Sequence, residues 1–253
     1  MPADPVFWIA ASAAVFLIGL SKGGLSGISL PGMMLLSLYM PPLQAAAMTL
    51  PIFIVQDAVS VWAYRKSFSI RALAILLPGA AIGMIGAALT ASVVPQDAIR
   101  LAVGLIALSF AASHFLGLVG HAAKAAQPGK VPSGLFWGAC AGFTSFAAHA
   151  GGPPFQVWML PQKLDKLAYA GTNTLFFAAV NAAKIAPYFW LGQFSREGLS
   201  TAVALMPLAI GSALFGVWLV RRIDGALFYR VIYWLLLIMG MKLAYDGFTG
   251  LLG

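Results

Sequence analysis

An all-α integral membrane protein is predicted, built from two inverted repeats that each hold a broken-helix hairpin and three transmembrane helices. Three observations predict it. Of 253 residues, 61% are hydrophobic and only 9% are charged, a balance that no soluble domain of this size needs. Long apolar stretches recur at residues 5–20, 43–64, 72–94, 98–119, 133–148, 167–191, 199–220 and 227–245, and several meet the roughly 20 residues that a spanning helix requires. The chain also repeats itself. Gly23-Gly24 followed by Leu30-Pro31 returns as Gly151-Gly152 followed by Leu160-Pro161, TLPIF (49–53) as TNTLF (172–176), and LPGAAIG (77–83) as MPLAIG (206–211). The separations lie between 123 and 130 residues, so the repeat carries small insertions. The shared order, more than any one match, carries the inference.

The basic HAAKAAQPGK (121–130) divides the halves, giving a first repeat at 1–119, a cytoplasmic linker at 120–132 and a second repeat at 133–253. The opening MPADPVFW has Asp4 and no Lys or Arg before the apolar run, unlike a secretory signal, so the first helix is expected to be retained. The lone Cys140 forms no intramolecular disulfide and no Cys/His spacing suggests a metal, so neither metal nor cofactor is expected. The net charge of +8 sits in short loops between apolar helices, which excludes a nucleic-acid partner in favour of the bilayer.

The opening hairpin decides the topology. Residues 5–20 and 30–40 are short for two spans, since eleven helical residues rise only about 16 Å against a hydrocarbon core of about 30 Å. Read as one broken span, the segment leaves the basic residues of alternate loops nearly balanced. Read as a hairpin that returns to its starting side, it segregates them. Arg65, Lys66, Arg71, Lys124, Lys130, Lys163, Lys166, Arg221, Arg222 and Arg230 then share one side, with only Arg100 and Arg196 opposite. The crowded side is cytoplasmic and the N-terminus periplasmic by the positive-inside rule. An odd number of crossings per half makes the repeats inverted; two short helices that each cross a thinned bilayer give the same parity.

SKGGLSG (21–27) is accordingly the turn of one hairpin and AHAGGPP (148–154) that of the other. Both turns are expected near mid-membrane, where irregular backbone must be buried or line a cavity. The helix following each turn presents free N–H groups and its positive dipole end, so an anion site is expected between them. Lys22, Gly23, Gly24, Ser26 and Ser29 are its candidates in the first turn, and His149, Gly151 and Gly152 in the second. Ser26 or Ser29 is expected to cap the first return helix, and Pro153 or Pro154 suits a first helical turn. Plainer readings stand beside these: Lys22 snorkelling to an interface, His149 packed and satisfied, His114 structural. The glycines at 79, 83, 86, 211 and 216 are expected to serve helix packing.

Two helices carry polar stripes. Thr49, Gln56 and Ser60 share a face in 43–64, with Asp57 beside it, and Thr174, Asn181, Lys184 and Tyr188 share one in 167–191. Asp57 and Lys184 are the acid and base well inside full spans, apart from Lys242 and Asp246 near an outer helix end. Asp57 is the candidate for coupling to a proton or cation, and Lys184, with Thr49, Gln56, Thr174 and Asn181, for the anion; the plain reading makes each charge a compensator of another buried group.

SKGGLSG, the LP and PP that follow the turns, PIFIVQDAVSVWAYRKSFS and GTNTLFFAAVNAAKIAPYFWLGQFS together resemble the TauE/SafE family of sulfite exporters and toluene sulfonate uptake permeases, over nearly the whole chain. The resemblance implies a non-enzymatic permease of the bacterial inner membrane for small organosulfur anions such as sulfite, sulfonates or sulfoacetate. AHAGGPP, with its histidine and two prolines, departs from the simpler glycine turns of that family. Two other readings use the same residues. A passive anion channel differs only in coupling. A rhomboid-like serine protease would use GLSG (24–27) with Ser26 as nucleophile and His149 or His114 as base, but it leaves the repeat and both polar stripes unexplained. Oligomeric state has no signature in the chain.

Overall fold

The computed structural model describes residues 4–40, 42–90, 93–117, 129–148, 150–190 and 195–252. It contains α1 (Pro5–Lys22), α2 (Ser29–Ser37), α3 (Pro42–Tyr64), α4 (Ile70–Thr90), α5 (Gln96–Phe115), α6 (Val131–Ala148), α7 (Gly152–Met159) with a 3-10 turn (Leu160–Gln162), α8 (Lys166–Trp190), α9 (Arg196–Arg222) and α10 (Gly225–Leu252). The eight apolar stretches are the eight longer helices, and no strand occurs among the described residues. α1, α4, α5, α9, α10 and α3 from Ala47 are each long and apolar enough to cross a bilayer. The chain is a multi-pass membrane protein.

Polar residues set several helix starts by accepting from N–H groups that have no partner inside the helix. Asp4 accepts from the Val6 amide at 2.9 Å, with Pro5 in the first turn. Ser195 accepts from the Gly198 amide at 3.0 Å at the start of α9. Asp224 accepts from the amides of Ala226 and Leu227 at 2.7 and 2.9 Å at the start of α10.

The helices form two compact units, and each draws on both halves of the chain. Residues 1–68 and 166–228 make the first, with α1–α3, α8 and α9; residues 69–165 and 229–253 make the second, with α4–α7 and most of α10. In the first unit α1 runs parallel to α9, with Gly19 against Ser212 and Gly23 against Gly216; a Cβ on Gly23 would lie 2.6 Å from the Gly216 Cα. α2 folds back along α1 so closely that a Cβ on Gly32 would lie 2.7 Å from the Ala14 carbonyl. Phe7, Ala11, Val15, Leu36, Met48 and Leu205 are among the side chains closing an apolar core between α1, α2, α3 and α9.

The second unit repeats this plan with the halves exchanged. α6 runs parallel to α4, where a Cβ on Gly83 would lie 1.9 Å from the Ala139 carbonyl and one on Gly142 2.2 Å from that of Ala80. α7 returns along α6 and lays the Trp158 ring over Gly134. Thus the first arm of each hairpin pairs with the helix that bears Pro78 or Pro207 in the opposite half. Small residues let the backbones approach where apolar burial gives little drive in lipid. Gly79, Gly83 and Gly216 serve packing as expected; Gly86 makes only an ordinary contact at 3.9 Å, and Gly211 faces open space.

Two expectations about the hairpins need correction. No side chain caps α2: its N-cap is Ile28, and Ser29 is its first helical residue. The first turn also sits at an end of its unit rather than half-way along, because Gly24 lies beside Tyr64, Val220 and Ala170, close to where α3 and α9 end and α8 begins. With 18 residues, α1 rises about 27 Å and reaches the last turn of α3, which an arm ending at mid-depth would not. In the second hairpin Pro153 lies in the first turn of α7, as expected, and Gly151 is the N-cap.

Basic groups gather at one end of the first unit and tie off helix carbonyls there. Lys166 donates to the carbonyls of Arg221 and Ile223, Arg221 to Ala63 at 2.9 Å and Arg65 to Trp62 at 2.9 Å. In the second, Arg71 donates to Gly129 at 3.2 Å, while Arg100 pairs with Asp97 at 2.7 Å at the α5 terminus that packs on the end of α10.

Candidate functional site

The first unit holds a buried charged cluster whose construction begins at the end of α1. A helix leaves its last carbonyls without intrahelical donors, and here each finds one. The Gly24 amide donates to Ser21 and the Leu25 amide to Leu20, both at 3.2 Å. These crossed bonds need the backbone of Gly24 at φ +121, a conformation that side chains disfavour. The Lys22 carbonyl accepts from Thr174 Oγ1 at 3.2 Å, and the Gly23 carbonyl from the Tyr64 hydroxyl at 2.6 Å. Gly24 must also lack a side chain for Tyr64 to arrive, since a Cβ would stand 3.0 Å from that hydroxyl. SKGG is therefore a helix stop locked by α3 and α8.

With its backbone tied down, Lys22 extends back beside α3. Its ammonium lies 2.8 Å from Asp57 Oδ1 and 3.1 Å from Oδ2 and 4.9 Å from the centre of the Phe53 ring. Asn181 Nδ2 donates to Asp57 Oδ2 at 2.7 Å. Asp57 Oδ1 is held by the ionic contact alone, with no directed hydrogen bond among the described residues. The pair is well covered, the side chains of Lys22 and Asp57 being 13% and 4% exposed. Lys184 follows Asn181 one turn along α8, is 1% exposed and feels the charges of both Lys22 and Asp57. Taking two lysines and one aspartate out of water is costly unless each is paired or serves a ligand.

α3 and α8 cross antiparallel at this cluster. Gly171, early in α8, lies against Tyr64 and Ser67 at the end of α3, whereas Asn181 meets Asp57 in its middle. Of the two stripes read from the sequence, Asn181 makes this contact, with Asp57 beside the α3 stripe.

The predicted residues have separate fates. Lys22, Asp57, Asn181, Lys184 and Thr174 come together, while Gly23 and Gly24 shape the adjoining turn. Gln56 is buried and donates to the Val15 carbonyl at 3.2 Å and toward Ser212 Oγ at 3.5 Å, so its amide nitrogen braces α1 against α3 and α9. Thr49 donates to the Ala45 carbonyl of its own helix at 2.8 Å. Ser26 is buried in the turn. Gly151 and Gly152 belong to the second unit, where both have ordinary helical backbone. His149 and the Tyr188 side chain fall outside the described residues. Sequence reasoning missed Tyr64, although it continues the Gln56, Ser60 face by one more turn, and the brace Ser212. The Ser60 Oγ, fully buried on that face, has no partner among the described residues.

The family model described as sulfite exporter TauE/SafE matches residues 7–243. The chain belongs to the TauE/SafE family. Neither the curated proteins nor the solved structures gave a match. Membership makes this a transporter family protein, and the match spans α1 through most of α10, so the Lys22–Asp57 cluster lies within the TauE/SafE region.

Proposed function

We propose that the protein is an ion-coupled permease for small organosulfur anions, such as sulfite, sulfonates or sulfoacetate, whose anion site is the Lys22, Asn181 and Lys184 cluster around Asp57. One observation carries this reading: two lysines and one carboxylate are buried together where helix-end carbonyls have already been satisfied by Thr174 and Tyr64. Two lysine side chains outnumber the one carboxylate there, which favours an anion. Asn181 and the lysines supply N–H donors, which suits an oxyanion with several acceptor oxygens. Asp57 is the coupling group.

The antiparallel crossing of α3 and α8 and the exchanged pairing of α1 with α9 and α6 with α4 support an inverted repeat. Alternating access by movement of one repeat against the other follows the general behaviour of such folds. The gathered basic groups support a cytoplasmic assignment for Arg65, Lys166 and Arg221, with the N-terminus periplasmic, in a bacterial inner membrane.

The test is a calorimetric screen of the purified full-length protein against sulfite, methanesulfonate, sulfoacetate, sulfate and acetate. Binding of the sulfur oxyanions at least ten-fold tighter than acetate is expected. Acetate binding as tightly as every sulfur anion, or no sulfur anion binding at all, would sink the substrate assignment.

A further inference from the structure

We propose that the strip formed by Phe16 on α1 and by Phe215, Trp218 and Arg222 on α9 binds an anionic phospholipid, its phosphate on the Arg222 guanidinium and an acyl chain along the three rings. The proposal concerns the outer surface of the first unit and stands independently of the anion-site reading. Phe215, Trp218 and Arg222 follow one another at steps of three and four residues, so they share one face of α9. The rings form a continuous row. Phe16 stacks on Phe215 with centroids 6.0 Å apart, and Phe215 on Trp218 at 5.5 Å with an interplanar angle of 18°. Arg222 closes the row, its guanidinium carbon 5.6 Å from the centre of the Trp218 ring. Phe16, Phe215 and Trp218 are 37%, 44% and 49% exposed, so the row is open along its length.

Exposed rings are ordinary on a surface turned to lipid; the guanidinium at the end of the row is what selects a headgroup. Stacking occupies the flat face of the guanidinium and leaves its N–H edge, a fork that matches two phosphate oxygens. Arg222 is exposed and makes no hydrogen bond or ion pair among the described residues. Other cations are committed: Lys22 to Asp57, Arg100 to Asp97 and Lys242 to Asp246. Beside Arg222, Arg221 donates to the Ala63 carbonyl and Lys166 to those of Arg221 and Ile223. Asp224, two residues on, accepts through Oδ1 from the amides of Ala226 and Leu227. The depth agrees as well. α9 is long and apolar enough to span, and Trp218 lies one turn from its end, where aromatic rings meet the headgroup layer. From Phe215 to Arg222 the helix rises about 10 Å, enough to run from the acyl region into a headgroup layer about 5–7 Å thick.

The end of α3 supplies an internal contrast. There too a guanidinium lies over an exposed indole, Arg65 over Trp62 at 4.8 Å, but its Nη1 donates to the Trp62 carbonyl at 2.9 Å. Trp62 stacks on no other ring among the described residues. This pair has the charge without the strip, so it separates a built lipid site from the general attraction of basic residues to anionic membranes.

The experiment is native mass spectrometry of the purified full chain in detergent, titrated with dioleoyl phosphatidylglycerol and dioleoyl phosphatidylcholine. Wild type should bind phosphatidylglycerol at least about five-fold tighter than phosphatidylcholine, the factor that one surface cation contributes toward an anionic lipid. Arg222→Gln should remove that preference and leave phosphatidylcholine binding unchanged. Arg65→Gln removes the same charge elsewhere and should keep the preference. Phe215→Ala, which touches only the acyl chain, should weaken both lipids alike. Arg222→Lys keeps the charge but lacks the planar fork; it should lose most of the preference, and it serves if the glutamine variant does not fold. Equal binding of the two lipids by wild type, a full preference in either Arg222 variant, or the same loss in Arg65→Gln overturns the proposal. Displacement of phosphatidylglycerol by glycerol phosphate at equal concentration would show a soluble phosphate ligand and overturns the lipid assignment.

Discussion

Lys22→Gln is expected to destabilise the protein by about 1.5–3 kcal/mol, because it takes the ammonium from beside the Asp57 carboxylate, 4% exposed, and leaves Lys184 as the remaining basic group near it. Lysine 22 read from the sequence is a cation waiting for an anion, and removing it should then weaken ligand binding alone. In the structure it already has an anion, so the effect moves to folding. Thermal unfolding of the detergent-solubilised variants checks this: Lys22→Gln should melt well below wild type, and Lys22→Gln/Asp57→Asn should recover most of the loss, since the second change removes the charge that the first exposed. A double variant less stable than either single would show that the two groups act independently.

Gly24→Val is expected to cost about 2–6 kcal/mol, combining strained backbone with overpacking. The backbone sits at φ +121, which a β-branched residue resists. A Cβ there would also stand 3.0 Å from both the Ala170 methyl and the Tyr64 hydroxyl and 3.2 Å from Val220 Cγ2. Relief would push Tyr64 off the Gly23 carbonyl, free the end of α1 and displace Lys22 from Asp57. Gly152→Val should be far milder, below about 1 kcal/mol, the usual scale for a β-branched residue in a helix. Gly152 has helical backbone, and its Cβ would meet only the Met239 Cε at 3.4 Å. Symmetry of sequence made the two glycines look equivalent, and equal melting points for the two variants would support that equivalence against the structure.

The long helices were legible because apolar length is all a lipid-facing helix requires: each of the eight stretches is a helix to within a few residues at either end. The polar stripes were legible for the same reason in reverse, as Asn181 and Asp57 had to turn away from lipid and did so toward each other. Which groups would pair was not legible. Lys22 and Asp57 are 35 residues apart, and Asn181 lies 124 beyond Asp57, separations that local periodicity does not bridge. The sequence makes the glycine pair at 23–24 a candidate for the anion site, whereas Gly23 admits α9, and Gly24 admits the Tyr64 hydroxyl and turns the chain. Composition shows that a backbone must approach something closely there; only the fold shows what. The exchange of α9 and α4 between the halves was equally hidden, because the sequence repeat fixes the order of elements and leaves their partners open.

The claim on which the account turns is that Lys184, buried one turn along α8 from Asn181, holds the anion. Titration of methanesulfonate into properly folded Lys184→Met measures it most directly, because methionine keeps the length and apolar stem of the side chain and removes only the ammonium. The account predicts affinity at least ten-fold below wild type, from loss of a charge-assisted hydrogen bond worth about 1.5–3 kcal/mol, with the melting point unchanged or raised. Wild-type affinity in Lys184→Met would place the anion elsewhere and contradict the account.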